Sequence, residues 1–484
     1  MRTKLFGLLL LLSAAAFAVD FPIHREVLDN GLTVLLYPNH QAPTVSCRLF
    51  YVTGSVNEVP GMSGLAHLLE HELFKGTKTV GVTDFAADSA LMAKEDSVMA
   101  LAHAALQKKD SASAKKFRAE YDSLVEEQRK FMVKEELWSA YQQAGGTGLN
   151  AFTTDLMTAY IVTLPKNRIE LFLYLEADRM QNAVLREFYS ERDVVREERR
   201  MRYDDRPTGR YFETLNGLEF EAFPYRIPTI GWPSDIMNLT REKAAEHYEK
   251  YYKPRNAILV LAGDLDTAAT MKLVKKYFAE IPPGEAFNPI TVRDPEQVGE
   301  KRLTVYRPDA SNRIDIAFKT PEIGDSSLYA LDVIEGVLNG RSGRLYRKLV
   351  EERKLAVSVR SGNSVNKYVS EFVIQVTLAP DANPDSVEAL VWQELENLKK
   401  TPVSERELQK VKNRSAMALV ESFLDMENVA TQLAWYEMFG DYGILLEWPE
   451  RLKTVTPEQV QSVAKKTFLH KNATVGRLLK GEER

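Results

Sequence analysis

The sequence predicts an α+β fold of two homologous units, each a mixed or antiparallel sheet packed against helices, with a helical hairpin inserted in the first. Three observations lead there. The segment LTREKAAEHYEKYYKPRNAILV from Leu239 resembles VTPEQVQSVAKKTFLHKNATVG from Val455, each helical in period and then strand-like. Thr240 matches Thr456, Tyr252 matches Phe468 and Asn256 matches Asn472 at one constant offset. Between the two copies, residues 281–300 form a loop broken by Pro282, Pro283, Gly284 and Pro289. Residues 82–144 contain neither Gly nor Pro, and Phe117, Tyr121, Leu124, Val125 and Met132 recur there at helical spacing.

Read in order, the chain opens with MRTKLFGLLLLLSAAAFA, a basic start, an apolar run and small residues at cleavage spacing. This predicts a signal peptide over residues 1–18, cut after Ala18, and a periplasmic or secreted protein. No other run approaches the roughly 20 apolar residues of a bilayer span, so the mature chain is expected to have none. The first unit is assigned to residues 19–282, the linker to 283–300 and the second unit to 301–484. Strand-like runs at 32–37 and 44–52 flank the turn-rich PNHQAP, and the helix GLAHLLEHELFKGT follows. An insertion at about 86–140 reads as two long helices with a polar break at KKDSAS, its charged run KKFRAEYDSLVEEQRK forming a wet face. GGTGLNAFTTDLMTAYIVTLP suits a strand, and a helix is expected over about 167–180.

Composition narrows the function. The chain has 63 basic and 68 acidic residues, a net charge of −5, which becomes −7 when Arg2 and Lys4 leave with the signal. Nothing in that balance suggests a nucleic-acid partner. Cys47 is the single cysteine, so no intrachain disulfide exists, and its place between Val45 and Leu49 predicts a small buried hydrophobe. GGTGLN lacks the Gly-Lys-Ser/Thr ending of a phosphate loop. His24, His40, His103, His247 and His470 are scattered without ligand spacing.

The chemistry is concentrated in GLAHLLEHELFKGT. At 3.6 residues per turn His67 and His71 point the same way, and Glu70 lies between them in angle, able to work on a water held by a metal. This is an H-x-x-E-H arrangement. A catalytic zinc usually has three protein ligands, and the best region for the third is FYSERDVVREERRMR, where Glu191 and Glu198 share one helical face and Glu197 points away.

The set GLAHLLEHELFKGT, GGTGLNAFTTD and ERDVVREE, in that order, resembles the pitrilysin/insulinase family of zinc metallopeptidases, which includes mitochondrial processing peptidase. The resemblance spans nearly the whole mature chain. It implies one zinc ion held by His67, His71 and Glu198, with Glu70 as the base and Glu191 as an outer partner acting with it. It also implies that a peptide substrate pairs with the strand carrying Asn150 and Ala151. Family assemblies resemble a clamshell, of which this chain is half, closing on peptides or unfolded segments. Two departures stand out. The gap from His71 to Glu198 exceeds the family's by about fifty residues, the inserted hairpin, which is expected to project as a lid, wall or partner contact. In GRLYRKLVEERKLAVSV, Val350 and Val357 stand where the family carries a substrate-holding Arg and Tyr. The resemblance therefore implies a homologous partner subunit supplying that pair, or otherwise a homodimer. The alternative to an endopeptidase is a non-catalytic scaffold subunit of the same fold.

Overall fold

The computed structural model describes residues 21–286 and 289–482, so the segment read as a signal peptide lies outside the described residues. The first sheet contains β1 (His24–Val27), β2 (Thr33–Pro38), β3 (Thr44–Tyr51), β4 (Thr147–Thr153), β5 (Thr158–Pro165) and β6 (Ala257–Gly263), in the order β1-β2-β6-β3-β5-β4. The second contains β7 (Lys301–Arg307), β8 (Arg313–Thr320), β9 (Ala356–Ser364), β10 (Ser370–Leu378) and β11 (Ala473–Lys480), in the order β7-β11-β8-β10-β9. From β2 onward the two orders coincide. Each sheet is antiparallel except for one parallel pair, β2 with β6 and β7 with β11. The duplication read in the sequence is thus a duplication of topology.

Among the described residues ten α-helices accompany the first half: α1 (Leu65–Glu72), α2 (Phe85–Gln107), α3 (Ser111–Gln128), α4 (Glu136–Gln143), α5 (Ile169–Asn182), α6 (Phe188–Arg199), α7 (Pro207–Glu219), α8 (Pro233–Asn238), α9 (Arg241–Tyr251) and α10 (Thr267–Phe278). The second half has α11 (Ser327–Leu338), α12 (Arg344–Tyr346), α13 (Pro384–Lys400), α14 (Glu405–Ser422), α15 (Met426–Met438), α16 (Gly443–Lys453) and α17 (Pro457–Thr467). The matched segments are α9 running into β6 and α17 running into β11. Thr240 and Thr456 are their N-caps, accepting the N–H groups of Lys243 and Gln459. Tyr252 and Phe468 are fully buried, each contributing about 2 kcal/mol by burial.

Both faces of each sheet are covered, and one cover comes from the other half. Val45, Cys47 and Leu49 on β3 face the core shared with α1 and α5, and Cys47 is buried as expected. The alternate residue Phe50, with Leu35 and Val260, packs against Val429 and Leu433 of α15. In return α7 lies on β7 and β11, where Tyr211 and Leu215 meet Leu478 and the Tyr211 hydroxyl donates to Asp315 at 2.8 Å. The two halves are interlocked.

Two expectations need correction. The stretch read as one strand is a hairpin of β4 and β5, turned by Thr154, whose hydroxyl accepts the N–H groups of Leu156 and Met157 at 3.2 and 3.1 Å. Residues 86–140 hold the two long helices α2 and α3 and the start of α4, with Asp110 in the polar break capping α3. The insertion does not stand clear of the scaffold, because Val98, Met99, Ala102, Tyr121 and Val125 belong to the first core.

Candidate metal centre

Helix α1 starts at Gly64, held at φ 88° with Ile230 O only 2.6 Å from where a Cβ would stand, so no other residue fits without displacing backbone. No side chain of the helix caps it. Glu58 does so from outside, accepting the N–H groups of Gly64 and Ala66 at 2.9 and 2.8 Å. This fixes the start of the eight-residue helix that carries His67, Glu70 and His71.

Helix α6 lies across α1 and brings in Glu198. The Nε2 atoms of His67 and His71 approach the same Glu198 Oε2, at 3.7 and 3.4 Å. Those separations are long for hydrogen bonds. They match ligand atoms around one tetrahedral ion, which at metal–ligand distances near 2 Å stand about 3.3 Å apart. Glu198 Oε2 is buried and has no hydrogen-bond partner, a costly state for a carboxylate oxygen that a cation at this point would relieve. Among the described residues, this is the one group of three His, Cys, Asp or Glu side chains close enough to hold an ion, its ligand atoms within 4.8 Å of one another. The residues present fit zinc.

The neighbours orient the ligands. His71 Nδ1 meets Glu191 Oε1 at 2.9 Å, leaving Nε2 for the centre, and Lys75 anchors the other oxygen of Glu191 at 2.6 Å. Arg202 binds Glu198 Oε1 at 2.9 Å. Burial opposes a charged His71, yet Glu191 and Glu198 outweigh it and lift its pKa to about 10, while burial and the adjacent His71 pull His67 down to about 4. Burial also pushes Glu191 up, but His71 and Lys75 overcome it and hold the carboxyl at about 2. Glu197 is turned to the exposed side and paired with Arg200 at 2.6 Å.

Glu70 faces the same cleft, its Oε2 accepting from the Thr153 hydroxyl at 2.6 Å. Burial raises its pKa, with the Thr153 hydrogen bond opposing. The cleft holds about 1220 Å³ and is lined by the metal-centre residues, by Asn150 to Thr153 of β4 and by the foot of the inserted hairpin, including Val133 and Trp138. Among the described residues β4 is the last strand of its sheet, with no strand paired to its outer edge. Sequence reading missed Glu58, Lys75, Thr153 and Arg202. Lys75 and Arg202 sit four residues after His71 and Glu198, a spacing that could have flagged them, whereas Glu58 and Thr153 reach the site only through packing.

Two family profiles match the chain: "Insulinase (Peptidase family M16)" over residues 33–99, and "Peptidase M16 inactive domain" over residues 238–415. The chain belongs to peptidase family M16. The first profile covers His67, Glu70 and His71 of this M16 chain; the second covers a stretch containing none of the site residues. Among relatives, zinc protease PqqE of Helicobacter pylori is 26% identical over 476 residues, covering 96% of this chain and 95% of its own length. The uncharacterized zinc protease YmxG of Bacillus subtilis is 23% identical, covering 92% and 96%. The solved structure of a protease from Helicobacter pylori superposes with a TM-score of 0.79 at 24% identity, over 95% of this chain and 99% of that one. The periplasmic protease PqqL from Escherichia coli has a TM-score of 0.72 at 16% identity; the match covers 96% of this chain but 48% of PqqL. The M16 fold of this chain therefore corresponds to half of that larger one.

Proposed function

We propose that this chain is a zinc-dependent metalloendopeptidase cutting peptides or unfolded segments in an enclosed chamber. The observation that carries the reading is the convergence of two imidazole Nε2 atoms on the partnerless, buried Oε2 of Glu198, beside Glu70. The names of the relatives agree with zinc and with proteolysis. The word inactive belongs to a profile matching the part that lacks His67, Glu70, His71 and Glu198, so it does not favour a scaffold role for the whole chain.

Zinc held by His67, His71 and Glu198 supplies carbonyl polarisation and acidification of water. Glu70 takes the proton of the attacking water and returns it to the leaving amine, and its upward pKa shift suits both steps. Thr153 holds the carboxylate in place. A peptide adds to the open edge of β4 as a further strand, with Asn150 and Ala151 offering main-chain groups. Glu191 acts through His71, fixing which imidazole nitrogen faces the centre.

The same reading divides the chain at residues 283–300 into a metal-bearing unit and a homologous unit without metal. It assigns the substrate-holding Arg and Tyr to a homologous partner subunit or, failing that, makes the assembly a homodimer. Val357 is largely exposed on β9 and Val350 packs against the second core, and neither side chain can make a polar contact. That PqqL carries this half-fold as part of a chain about twice as long supports pairing. No helix among the described residues is long and apolar enough to cross a membrane, and export to the periplasm or exterior rests on residues 1–18.

Zinc content and one variant test the proposal. Protein purified with its partner should hold one zinc per chain, and Glu70→Gln should keep that zinc while losing about 10²- to 10⁴-fold in peptide cleavage. Absence of stoichiometric zinc and of peptide cleavage refutes it and leaves the scaffold reading, whereas an unchanged rate in Glu70→Gln refutes the zinc mechanism with Glu70 as base.

A further inference from the structure

The inserted hairpin is bonded, residue by residue, to the start of the helix that carries Glu191 and Glu198. Helix α6 begins after Glu187, which is held in the left-handed region at φ 53°, and no side chain of its own segment caps it. The missing acceptor comes from α3. Tyr121 is fully buried, and its hydroxyl oxygen accepts the Ser190 N–H at 3.1 Å and bonds the Ser190 hydroxyl at 2.9 Å. One turn earlier on α3, Arg118 reaches Asp193 at 2.7 Å. Just beyond α3, Arg129 grips the carboxylate of Glu187 at 2.9 Å. From α2, Asp96 accepts from the Tyr189 hydroxyl at 2.9 Å, and Asp88 forms a wholly buried pair with Arg186 at 2.8 Å.

Five positions between Arg186 and Asp193 are thus held by directional polar contacts with one insertion. An apolar interface tolerates small sliding, whereas the buried Asp88–Arg186 pair and a capped N–H, with the partly exposed Arg118–Asp193 and Arg129–Glu187 pairs beside them, favour one register. Register matters here because Glu198 lies two turns along from Glu191 on the same face, and metal–ligand distances tolerate only about 0.2 Å. Resting on the zinc reading above, we propose that the hairpin is a clamp that sets α6 so that Glu198 meets the two imidazoles. Tyr121 and Arg118 are positioning residues for metal binding, acting as a cap and a strut supplied from outside the helix.

The test uses the full chain. Zinc affinity is measured by competition with a chelator, and the geometry of the centre by the absorption of the cobalt-substituted protein. Tyr121→Phe should weaken zinc about 3- to 10-fold, from the loss of both hydroxyl contacts to Ser190. Tyr121→Phe combined with Arg118→Gln should weaken it about 10- to 100-fold and shift the cobalt bands. Leu101→Ser and Leu106→Ser, on the exposed face of α2, should leave both readouts unchanged. Arg118 is partly exposed, so Arg118→Gln carries the test should Tyr121→Phe not fold. A lowered unfolding temperature of the metal-free variants with unchanged zinc affinity and cobalt spectrum would reduce the hairpin to simple packing and overturn the clamp. Failure of the unsubstituted chain to bind zinc overturns the underlying reading instead, so the two failures are distinguishable.

Discussion

The helix that follows β3 in the first unit and β8 in the second occupies the same place in two sheets whose orders coincide from β2 onward, yet α1 and α11 carry opposite chemistry. On α1 the polar side chains leave acceptor atoms open and converging, with Glu198 Oε2 between two imidazoles. On α11 they are consumed locally. Asp332 accepts from Asn363 Nδ2 at 2.6 Å and from the Trp448 indole at 2.5 Å, and Glu335 accepts the Asn363 N–H at 2.9 Å. Topology supplies a helix beside an edge strand in both units. What makes a candidate site is the unsatisfied set of ligand atoms, which the fold alone does not confer.

The sharpest way to break this comparison is to remove the converging carboxylate. Glu198→Ala should weaken zinc by at least about 100-fold and leave dialysed protein without stoichiometric metal, whereas Glu335→Ala should leave zinc content intact. Equal zinc content in both variants would mean that the three-residue centre is misassigned. A smaller effect is expected one step outward. Glu191→Gln keeps a hydrogen-bonding group but loses the charge facing His71, and should weaken zinc about 10- to 100-fold in chelator competition. An unchanged affinity there would separate Glu191 from the centre.

The smallest effect belongs to the second half and concerns stability. Burial lifts the Glu335 carboxyl to about 7 from its ordinary value near 4.5. A raised carboxyl pKa means that the folded state binds the proton more tightly, so the contribution is full below about pH 4.5 and is lost as pH rises through about 7. Glu335→Gln should remove that loss and gain about 2 kcal/mol at pH 8 relative to the unsubstituted chain, with little difference at pH 4. Denaturant titrations at the two pH values check it, and a gain of equal size at both would contradict the linkage.

Much of the architecture was legible because its signals are local. The repeat of α9–β6 in α17–β11 could be read from matched caps and buried aromatics, Thr240 with Thr456 and Tyr252 with Phe468. The break at KKDSAS was readable as a polar interruption, and Asp110 does cap α3 there. The turn inside GLNAFTTDLMTAYIV was not, because Thr154 makes it with a side-chain bond rather than with Gly or Pro. The cover of each sheet by α15 or α7 from the opposite half leaves no periodic trace, since an apolar helix face does not say which apolar sheet face it meets.

By itself the sequence determined that His67, Glu70 and His71 act together, because residues three and four apart on one helix are neighbours wherever that helix goes. It also placed Glu191 and Glu198 on a common face and left periodicity unable to rank them. Only the tertiary structure decided their division of labour: α6 crosses α1 so that Glu198 lies between the two Nε2 atoms and Glu191 meets the far nitrogen of His71. The crossing is set by contacts distant in sequence, among them Glu58 at the start of α1 and Tyr121 at the start of α6. Spacing within a helix is a property of the chain, whereas the aim of one helix at another is a property of everything packed around both.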